Sequence, residues 1–187
     1  PCKMIKRSKE PAPRLRELED EEYDRLLKAS KEVDLIYLEN AFVFSIETCV
    51  RQGELLNARW EHINFKKQTL FIPDTKTGYL SKESTSERTI PLSKLAIITL
   101  NKLPRHISGR IFPITRDQLN QKWKLAKKKA KIKNYRWHDN RSTGISWCFE
   151  KKNLNVAEVM TISGHRSPTI LLKRYTKLNP TKIAMKI

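Results

Sequence analysis

Apolar positions near the start of the chain recur with helical spacing. Acidic residues crowd the first turn of a predicted helix over residues 20–29, in which Tyr23, Leu26 and Leu27 form an apolar stripe. The next segment, residues 33–50, is strongly apolar and too long for a single strand. We therefore predict a second helix there, and its composition makes it the best candidate for a central buried helix.

The middle of the chain changes to a pattern typical of strands. After a short predicted helix over residues 53–60, β-branched and aromatic residues alternate with polar ones over 62–78 and again over 87–92. These segments predict a small antiparallel sheet with a long polar loop at about 78–87.

Helical spacing returns in the second half of the chain. It predicts five further helices, over residues 92–103, over 116–132, from about 138, over 155–162 and over 168–178. The sequence contains no internal repeat and no low-complexity tract. The predicted fold class is α+β, a mainly helical domain with one small antiparallel sheet.

The first 15 residues differ from the rest of the chain. They are basic, contain three prolines and lack an apolar period, so we interpret residues 1–15 as a linker or tail. Residues 16–187 then form one domain, because a chain of 187 residues with 39% hydrophobic content suffices for a single core. The missing initiator Met indicates a fragment or a processed product.

The chain is strongly basic. Lys and Arg total 38 against 20 Asp and Glu, which gives a formal net charge of +18. A polyanion is therefore the leading class of partner. No apolar run approaches the roughly 20 residues that span a bilayer, and the first residues lack the apolar core of a signal peptide. We expect a soluble cytoplasmic protein with no membrane partner.

A dense basic run, residues 122–133, lies within one of the predicted helices. It fits a helix surface that faces DNA and a solvated helix face equally well. The run supports a polyanionic partner but does not locate an active site.

Three cysteines, Cys2, Cys49 and Cys148, lie far apart in the sequence. None of them has the paired spacing, such as C-x2-C, that is typical of zinc sites. We expect free thiols in a reducing compartment, no disulfide framework and no bound metal.

Several polar residues stand in otherwise apolar helical contexts, as a reaction at a phosphodiester requires. Such a reaction needs a nucleophile, cations around the non-bridging oxygens and a proton donor for the departing oxygen. Arg51 directly follows the apolar helix, and Glu54 lies three residues later, within reach of its guanidinium. The alternative for Arg51 is a helix-terminal residue in a surface ion pair.

His138 and Arg141 are also three residues apart, so they are predicted to share a helix face. A pair of cations suits an anion better than a protein core. The H-x-x-R pattern alone, however, arises by chance in many basic chains.

The last candidates are a nucleophile and a proton donor. His165 follows a glycine at a predicted helix end, and Tyr175 lies ten residues later. A tyrosine there is more often a packing residue, because a phenol is a weak nucleophile unless nearby cations favour the phenolate. Lys76 lies at the predicted tip of the sheet, either as a solubilising edge residue or as an acid for a leaving oxygen.

Taken together and in order, these residues resemble the pattern of the tyrosine recombinase family, which includes phage integrases. The resemblance extends from about residue 16 to residue 180. The matching residues are Thr48, Arg51 and Glu54 for T-G-x-R-x-x-E, Lys76 for the sheet lysine with Lys82 as a weaker candidate, His138 and Arg141 for H-x-x-R, Gly164 and His165 for G-H, and Arg174 and Tyr175 for R-Y.

The resemblance implies a site-specific DNA recombinase of the kind found in phages and mobile elements. Tyr175 attacks the scissile phosphate, forms a 3′-phosphotyrosyl bond and releases a 5′ hydroxyl. The other implied roles are phosphate-oxygen contacts from Arg51, Arg141 and His165, protonation of the leaving oxygen by Lys76, proton movement assisted by His138 and orientation of Arg51 by Glu54. No metal and no nucleotide cofactor are implied, because the phosphotyrosine conserves the bond energy.

Partners also follow from the resemblance. They are double-stranded DNA and, for the full-length protein, further copies of itself in a homotetramer on DNA, at the nucleoid of a bacterial host. Family members carry a separate N-terminal core-binding domain ahead of the catalytic domain, and this chain is expected to lack it.

The chain departs from the family pattern at three places. Cys49 replaces the glycine of T-G-x-R, and Asn140 replaces the usually apolar residue inside the H-x-x-R box. The separation of His165 and Tyr175 is one residue longer than the commonest spacing. A buried amide at position 140 must find partners or it lowers stability.

Two other functions remain open at this point. A type IB topoisomerase uses similar chemistry to relax DNA without exchanging partners. A non-catalytic, basic DNA-binding module would grip the duplex with its helices, and Tyr175 would then be structural.

Overall fold

The structure is a computed structural model, and it describes residues 16–73 and 87–175 except for the side chain of Arg174. Within these ranges the helices are α1 (Asp20–Lys31), α2 (Leu38–Thr48), α3 (Gln52–Asn57), α4 (Lys94–Asn101), α5 (Arg116–Lys129), α6 (Asp139–Glu150), α7 (Val156–Ser163) and α8 (Pro168–Tyr175). The strands are β1 (Ile63–Asn64), β2 (Thr69–Ile72) and β3 (Arg88–Pro91). The predicted α+β class, mainly helical with a small antiparallel sheet, is confirmed.

Polar side chains fix where several helices begin. The Ser93 hydroxyl accepts from the backbone N–H of Ala96 at 3.1 Å at the start of α4. At the start of α7, Asn155 accepts from Glu158 N–H at 3.0 Å, and the Glu158 carboxylate accepts from Asn155 N–H at 2.7 Å. Each such cap contributes about 1 kcal/mol. The cap on α7 fixes the start of that helix.

Helix α2 lies at the centre of the domain, as its apolar composition predicts. It contacts α1, α4 and α6. Its two phenylalanines are fully buried: Phe42 contacts Trp123 with 5.3 Å between ring centroids, and Phe44 contacts Phe112 with 5.6 Å. Aromatic contacts of this kind add to the hydrophobic gain of burial.

The predicted start of α2 at residue 33 is wrong, because the chain first turns. Leu35 N–H donates to Val33 carbonyl oxygen at 2.7 Å, and α2 begins only at Leu38. Val33 is buried all the same. Apolar residues before the helix therefore reach the core from a turn, and hydrophobicity alone does not distinguish the two.

The sheet is antiparallel with the order β1-β2-β3. Leu70 of β2 pairs with Ile63 on one side and Ile90 on the other, and both Leu70 and Ile90 are buried. The loop predicted at about 78–87 falls almost entirely within residues 74–86, which lie outside the described ranges. Helix α7 contacts β3, so the sheet borders the C-terminal helices.

A second apolar cluster lies among α6, α7 and α8. Its buried members are Cys49, Ile145, Cys148, Val159, Ile162, Leu171 and Tyr175. Helix α6 approaches α2 closely at Gly144, where a Cβ would lie 2.2 Å from the carbonyl oxygen of Ile46. Across the described ranges, none of the helices combines the length and apolarity needed to cross a membrane.

Asn140 carries the amide that the sequence analysis expects to lower stability unless it finds hydrogen-bond partners. The residue is 1% exposed, and neither its Oδ1 nor its Nδ2 has a hydrogen-bond partner among the described residues. An unpaired buried amide costs free energy, because it loses its hydrogen bonds to water without replacement.

We therefore predict that Asn140→Leu stabilises the domain. Leucine keeps the branching at Cγ and has no polar atoms, so the free energy of unfolding in urea should rise by about 1–3 kcal/mol. The matched control is Asn101→Leu, the same change at an exposed position at the end of α4, which should give no gain. Equal effects of the two substitutions, or a loss at position 140, would contradict the prediction.

Candidate active site

A cavity of about 500 Å³ opens where the start of α3, the start of β3 and the end of α7 meet. Its lining is rich in cationic and hydroxyl side chains and comprises Arg51, Arg88, Thr89, Met160, Thr161, Gly164, His165, Arg166, Ser167 and Ile170. Such a cavity favours an anionic ligand, because cationic walls concentrate anions.

Arg51 is the N-cap residue directly before α3, and Glu54 holds it there. The Arg51 backbone N–H donates to Glu54 Oε2 at 2.8 Å, and Arg51 Nη1 donates to Glu54 Oε1 at 2.9 Å. The Glu54 residue is 7% exposed. The contact expected from the spacing of these two residues is present, and the partner is a buried carboxylate, not a surface one.

Arg88 is a third member of this group, and the sequence analysis missed it. Its Nη1 and Nη2 each donate to a different carboxylate oxygen of Glu54, both at 2.9 Å. Arg88 is the first residue of β3, on the same strand face as the buried Ile90 two positions later. An arginine at an inward-facing strand position is the signal that could have found it.

The charge of Glu54 is set by its two arginine partners. Burial on its own would raise the pKa of the Glu54 carboxyl, but the hydrogen bonds and charge of Arg88, together with those of Arg51, lower it to about 2. Glu54 is therefore ionised throughout the neutral and mildly acidic range.

Arg141 is 5% exposed and is not among the described residues that line the cavity. Its Nη1 donates to the carbonyl oxygen of Cys49, which caps the end of α2, and its Nη2 donates to the carbonyl oxygen of Ser163, the last residue of α7, at 2.6 Å. Burial, followed by the charge of nearby Arg51, lowers the pKa of Arg141 to about 10. The side chain thus stays cationic at neutral pH.

His165 follows the left-handed Gly164, with φ of 71°, that ends α7. Its Nδ1 lies 2.7 Å from the Ser163 hydroxyl oxygen, and its ring borders the cavity. Arg51 and His165, from separate segments of the chain, therefore both line the cavity, and Arg141 bonds the backbone two residues before each of them without lining the cavity itself.

Two other predicted site residues lie elsewhere in the structure. Tyr175 is 6% exposed in the second apolar cluster, and its hydroxyl is 3.4 Å from the Ser142 hydroxyl oxygen. His138 is exposed at the start of α6, whereas Arg141 is buried three residues later. Neither Tyr175 nor His138 is among the described residues that line the cavity.

Lys76 and the weaker candidate Lys82 lie outside the described residues. For the ranges that are described, no group of three or more His, Cys, Asp and Glu side chains is arranged to bind a metal ion.

Residues 16–182 match the phage integrase family. This chain belongs to the phage integrase family. It is 35% identical over 187 residues to the shufflon-specific DNA recombinase of Escherichia coli, a match that covers 100% of this chain and 46% of the recombinase. This phage integrase chain therefore spans about half the length of that relative.

Solved structures of phage integrases share the fold. The catalytic domain of bacteriophage HP1 integrase matches with a TM-score of 0.68 and 20% identity, over 93% of this chain and 95% of that domain. A lambda integrase dimer bound to a COC' core site matches with a TM-score of 0.71 and 18% identity, over 93% of this chain and 51% of that protein. At these identities the likeness concerns the fold alone.

The buried carboxylate predicts how stability depends on pH. Because the pKa of Glu54 falls from 4.5 to about 2 on folding, its ionised form stabilises the fold above pH 4.5, and this contribution is lost as the pH falls towards 2. Between pH 6 and pH 3, the wild-type chain should lose about 2 kcal/mol more unfolding free energy than Glu54→Gln.

Urea denaturation at a series of pH values measures this difference. Glu61→Gln is the matched control, because the Glu61 side chain is mostly exposed beside Arg59. It should follow the wild-type pH dependence. A Glu54→Gln curve parallel to the wild-type curve would show that Glu54 is not held as described.

Proposed function

We propose that this chain is the catalytic domain of a site-specific DNA recombinase that cleaves and rejoins DNA strands through a covalent link to Tyr175. The observation that carries the proposal is that Arg51 and His165 line one cavity, while the buried cation Arg141 bonds the backbone two residues before each of them. Cations from several directions suit a phosphate, whose charge is spread over several oxygens. The net charge of +18 agrees with a polyanionic substrate.

The relatives point to the same substrate class. The Escherichia coli protein is named as a DNA recombinase, and the lambda integrase dimer is bound to a COC' core site. Transfer of this function to the present chain is part of the proposal, because the chain spans only part of the length of each.

The reaction is a transesterification in two matched steps. The phenol oxygen of Tyr175 attacks phosphorus, the bond from phosphorus to the 5′ oxygen breaks, and a 3′-phosphotyrosyl bond forms. The phenol proton leaves with assistance from His138, and Lys76 gives a proton to the departing 5′ oxygen. A 5′ hydroxyl of the same or another strand then attacks the phosphotyrosine and restores the tyrosine.

The arginines differ in what they offer the phosphate. Two donors of the buried Arg141 are used on the backbone carbonyls of Cys49 and Ser163, so this cation acts mainly through its charge and its remaining N–H groups. Arg51 is more accessible, with 35% of its side chain exposed, and Glu54 fixes its direction. Arg51 is therefore the better direct ligand for a non-bridging oxygen.

Attack also requires movement of Tyr175. Its hydroxyl lies near Ser142 within the second apolar cluster, not at the cavity. Helix α8 must shift or turn to carry the phenol towards the phosphate. Assembly of the full-length protein on double-stranded DNA as a homotetramer, at the nucleoid of a bacterial host, is the setting in which we place this step.

Covalent trapping tests the nucleophile. The 187-residue chain is incubated with a library of nicked duplexes of randomised sequence, so that the cleaved end diffuses away and the protein stays attached. We expect an adduct that survives denaturing electrophoresis and whose phosphorylated peptide contains Tyr175. The Tyr175→Phe chain should form none, because it lacks the attacking oxygen.

Tyr37→Phe provides the matched control, since it removes a hydroxyl at the start of α2 and should leave the adduct intact. An adduct that persists in Tyr175→Phe would overturn the proposal, and so would no adduct in any chain, the result expected of a binding module. Supercoil relaxation measured beside two-site recombination separates a recombinase from a topoisomerase.

DNA binding should depend strongly on salt. Phosphate contacts release counterions, so the logarithm of the binding constant for a random-sequence duplex should fall with log salt concentration by about 0.9 per contact. Arg51→Ala should reduce the magnitude of this slope by about 1, whereas Tyr175→Phe should leave it unchanged. Fluorescence anisotropy between 50 and 300 mM salt, roughly the range over which such binding is lost, gives the slope. A slope near zero would contradict a phosphate-binding surface.

A further inference from the structure

Arg88 occupies an unusual place for a strand residue. Only 12% of its side chain is exposed, yet it borders the cavity, and both of its terminal nitrogens bind the Glu54 carboxylate. The pair is bidentate, which fixes the plane of the carboxylate as well as its position. The two residues are 34 positions apart in sequence, so β3 and α3 are joined at this point.

The Glu54 carboxylate is fully occupied by this arrangement. Oε1 accepts from Arg88 Nη1 and Arg51 Nη1, and Oε2 accepts from Arg88 Nη2 and the Arg51 backbone N–H. Two donors on each oxygen match the capacity of a carboxylate. Glu54 can therefore hold Arg51 in only one direction.

Arg88 also decides the charge that the cavity presents. Glu54 and Arg51 alone would form a neutral pair, which attracts a phosphate weakly. With Arg88 added, the three groups carry one net positive charge, and the buried Arg141 adds another. The positive charge of Arg88 thus offsets the negative charge of Glu54, the carboxylate that positions Arg51.

The opposite side of Arg88 contacts the turn that carries His165. A Cβ at Gly164 would lie 2.8 Å from Arg88 Nε and 2.9 Å from its Cδ and Cζ. The Arg88 guanidinium therefore binds Glu54 through its two terminal nitrogens. Its Nε and Cζ lie close to Gly164, the residue before His165.

We infer that Arg88 is a positioning residue of the site: it acts through Glu54 to fix the direction of Arg51 and to keep the Arg51, Glu54 and Arg88 group cationic. The inference rests on the proposed function, because its main measure is the rate of covalent complex formation. Arg88 need not touch the phosphate itself.

A double-mutant cycle tests whether Arg88 acts through Glu54. We expect Arg88→Met and Glu54→Gln each to slow covalent complex formation by about 10-fold to 100-fold, and the double variant to be no slower than the slower single variant. Arg88→Lys should recover part of the rate, since it keeps the charge and loses the bidentate geometry. Arg59→Met, the same change in an exposed ion pair, is the control and should keep the wild-type rate.

The pH profile provides a readout that a merely structural role would not move. The charged groups facing Glu54 are Arg51 from α3, Arg88 from β3 and Arg141 from α6, and His165 borders the same cavity. Without Arg88, less positive charge opposes the effect of burial on Glu54, so the pKa of Glu54 rises. As the pH is lowered, the rate of covalent complex formation should therefore begin to fall at a higher pH than in the wild-type chain. That shift should be absent in the Arg88→Met, Glu54→Gln double variant, because position 54 no longer titrates there.

Two results would overturn the inference. In the first, the rate reductions of the two single variants multiply in the double variant. In the second, the rate of Arg88→Met falls at the same acidic pH as the wild-type rate. If Arg88→Met does not fold, as judged by its thermal unfolding, the cycle and profile are run with Arg88→Lys and read in the same way. Failure of the proposed function is distinguished separately, because it shows in the otherwise wild-type chain, either as an adduct that does not depend on Tyr175 or as no adduct at all.

Discussion

The candidate site depends on one buried cation, Arg141. Its guanidinium donates to the carbonyl oxygens of Cys49 and Ser163, at the ends of α2 and α7. Carbonyls at helix ends lack partners within the helix and carry partial negative charge, so they stabilise a buried cation without cancelling it. Arg51 and His165 each lie two residues beyond the carbonyl that Arg141 holds. One side chain of α6 therefore brings two distant segments to the same cavity.

Neighbouring cations repel one another, and in this structure the single carboxylate of Glu54 reduces the repulsion. Burial and the charge of Arg51 both lower the pKa of Arg141, whereas Glu54 raises it. A buried ion pair adds little net stability on average, because desolvation offsets much of the attraction. The arrangement of Glu54 between two arginines is thus better explained by geometry and charge than by stability.

Sequence patterns predicted the fold class and the contact between residues close in sequence, because both depend on the spacing of residues within a single helix or strand. The acidic first turn and the apolar spacing placed α1 and α7 closely, and the three-residue spacing predicted the contact between Arg51 and Glu54. Arg88 was missed because its partner is distant in sequence and its inward direction follows from strand pairing. The three-residue spacing predicted that His138 and Arg141 share a helix face, but it does not encode which side chain is buried. In the structure Arg141 is buried and His138 is exposed. The position of Tyr175 depends on how α8 packs, which no local pattern encodes.

The close approach of Arg88 to Gly164 has a consequence for how related sequences can diverge. Position 164 has a left-handed backbone and no space for a Cβ while arginine occupies position 88. A shorter residue at 88 would remove the steric barrier, and asparagine tolerates the left-handed region better than most residues do. The two positions should therefore covary among homologues, with glycine at 164 retained wherever arginine is retained at 88. A strand and a helix terminus that are far apart in the gene would in this way evolve as one unit.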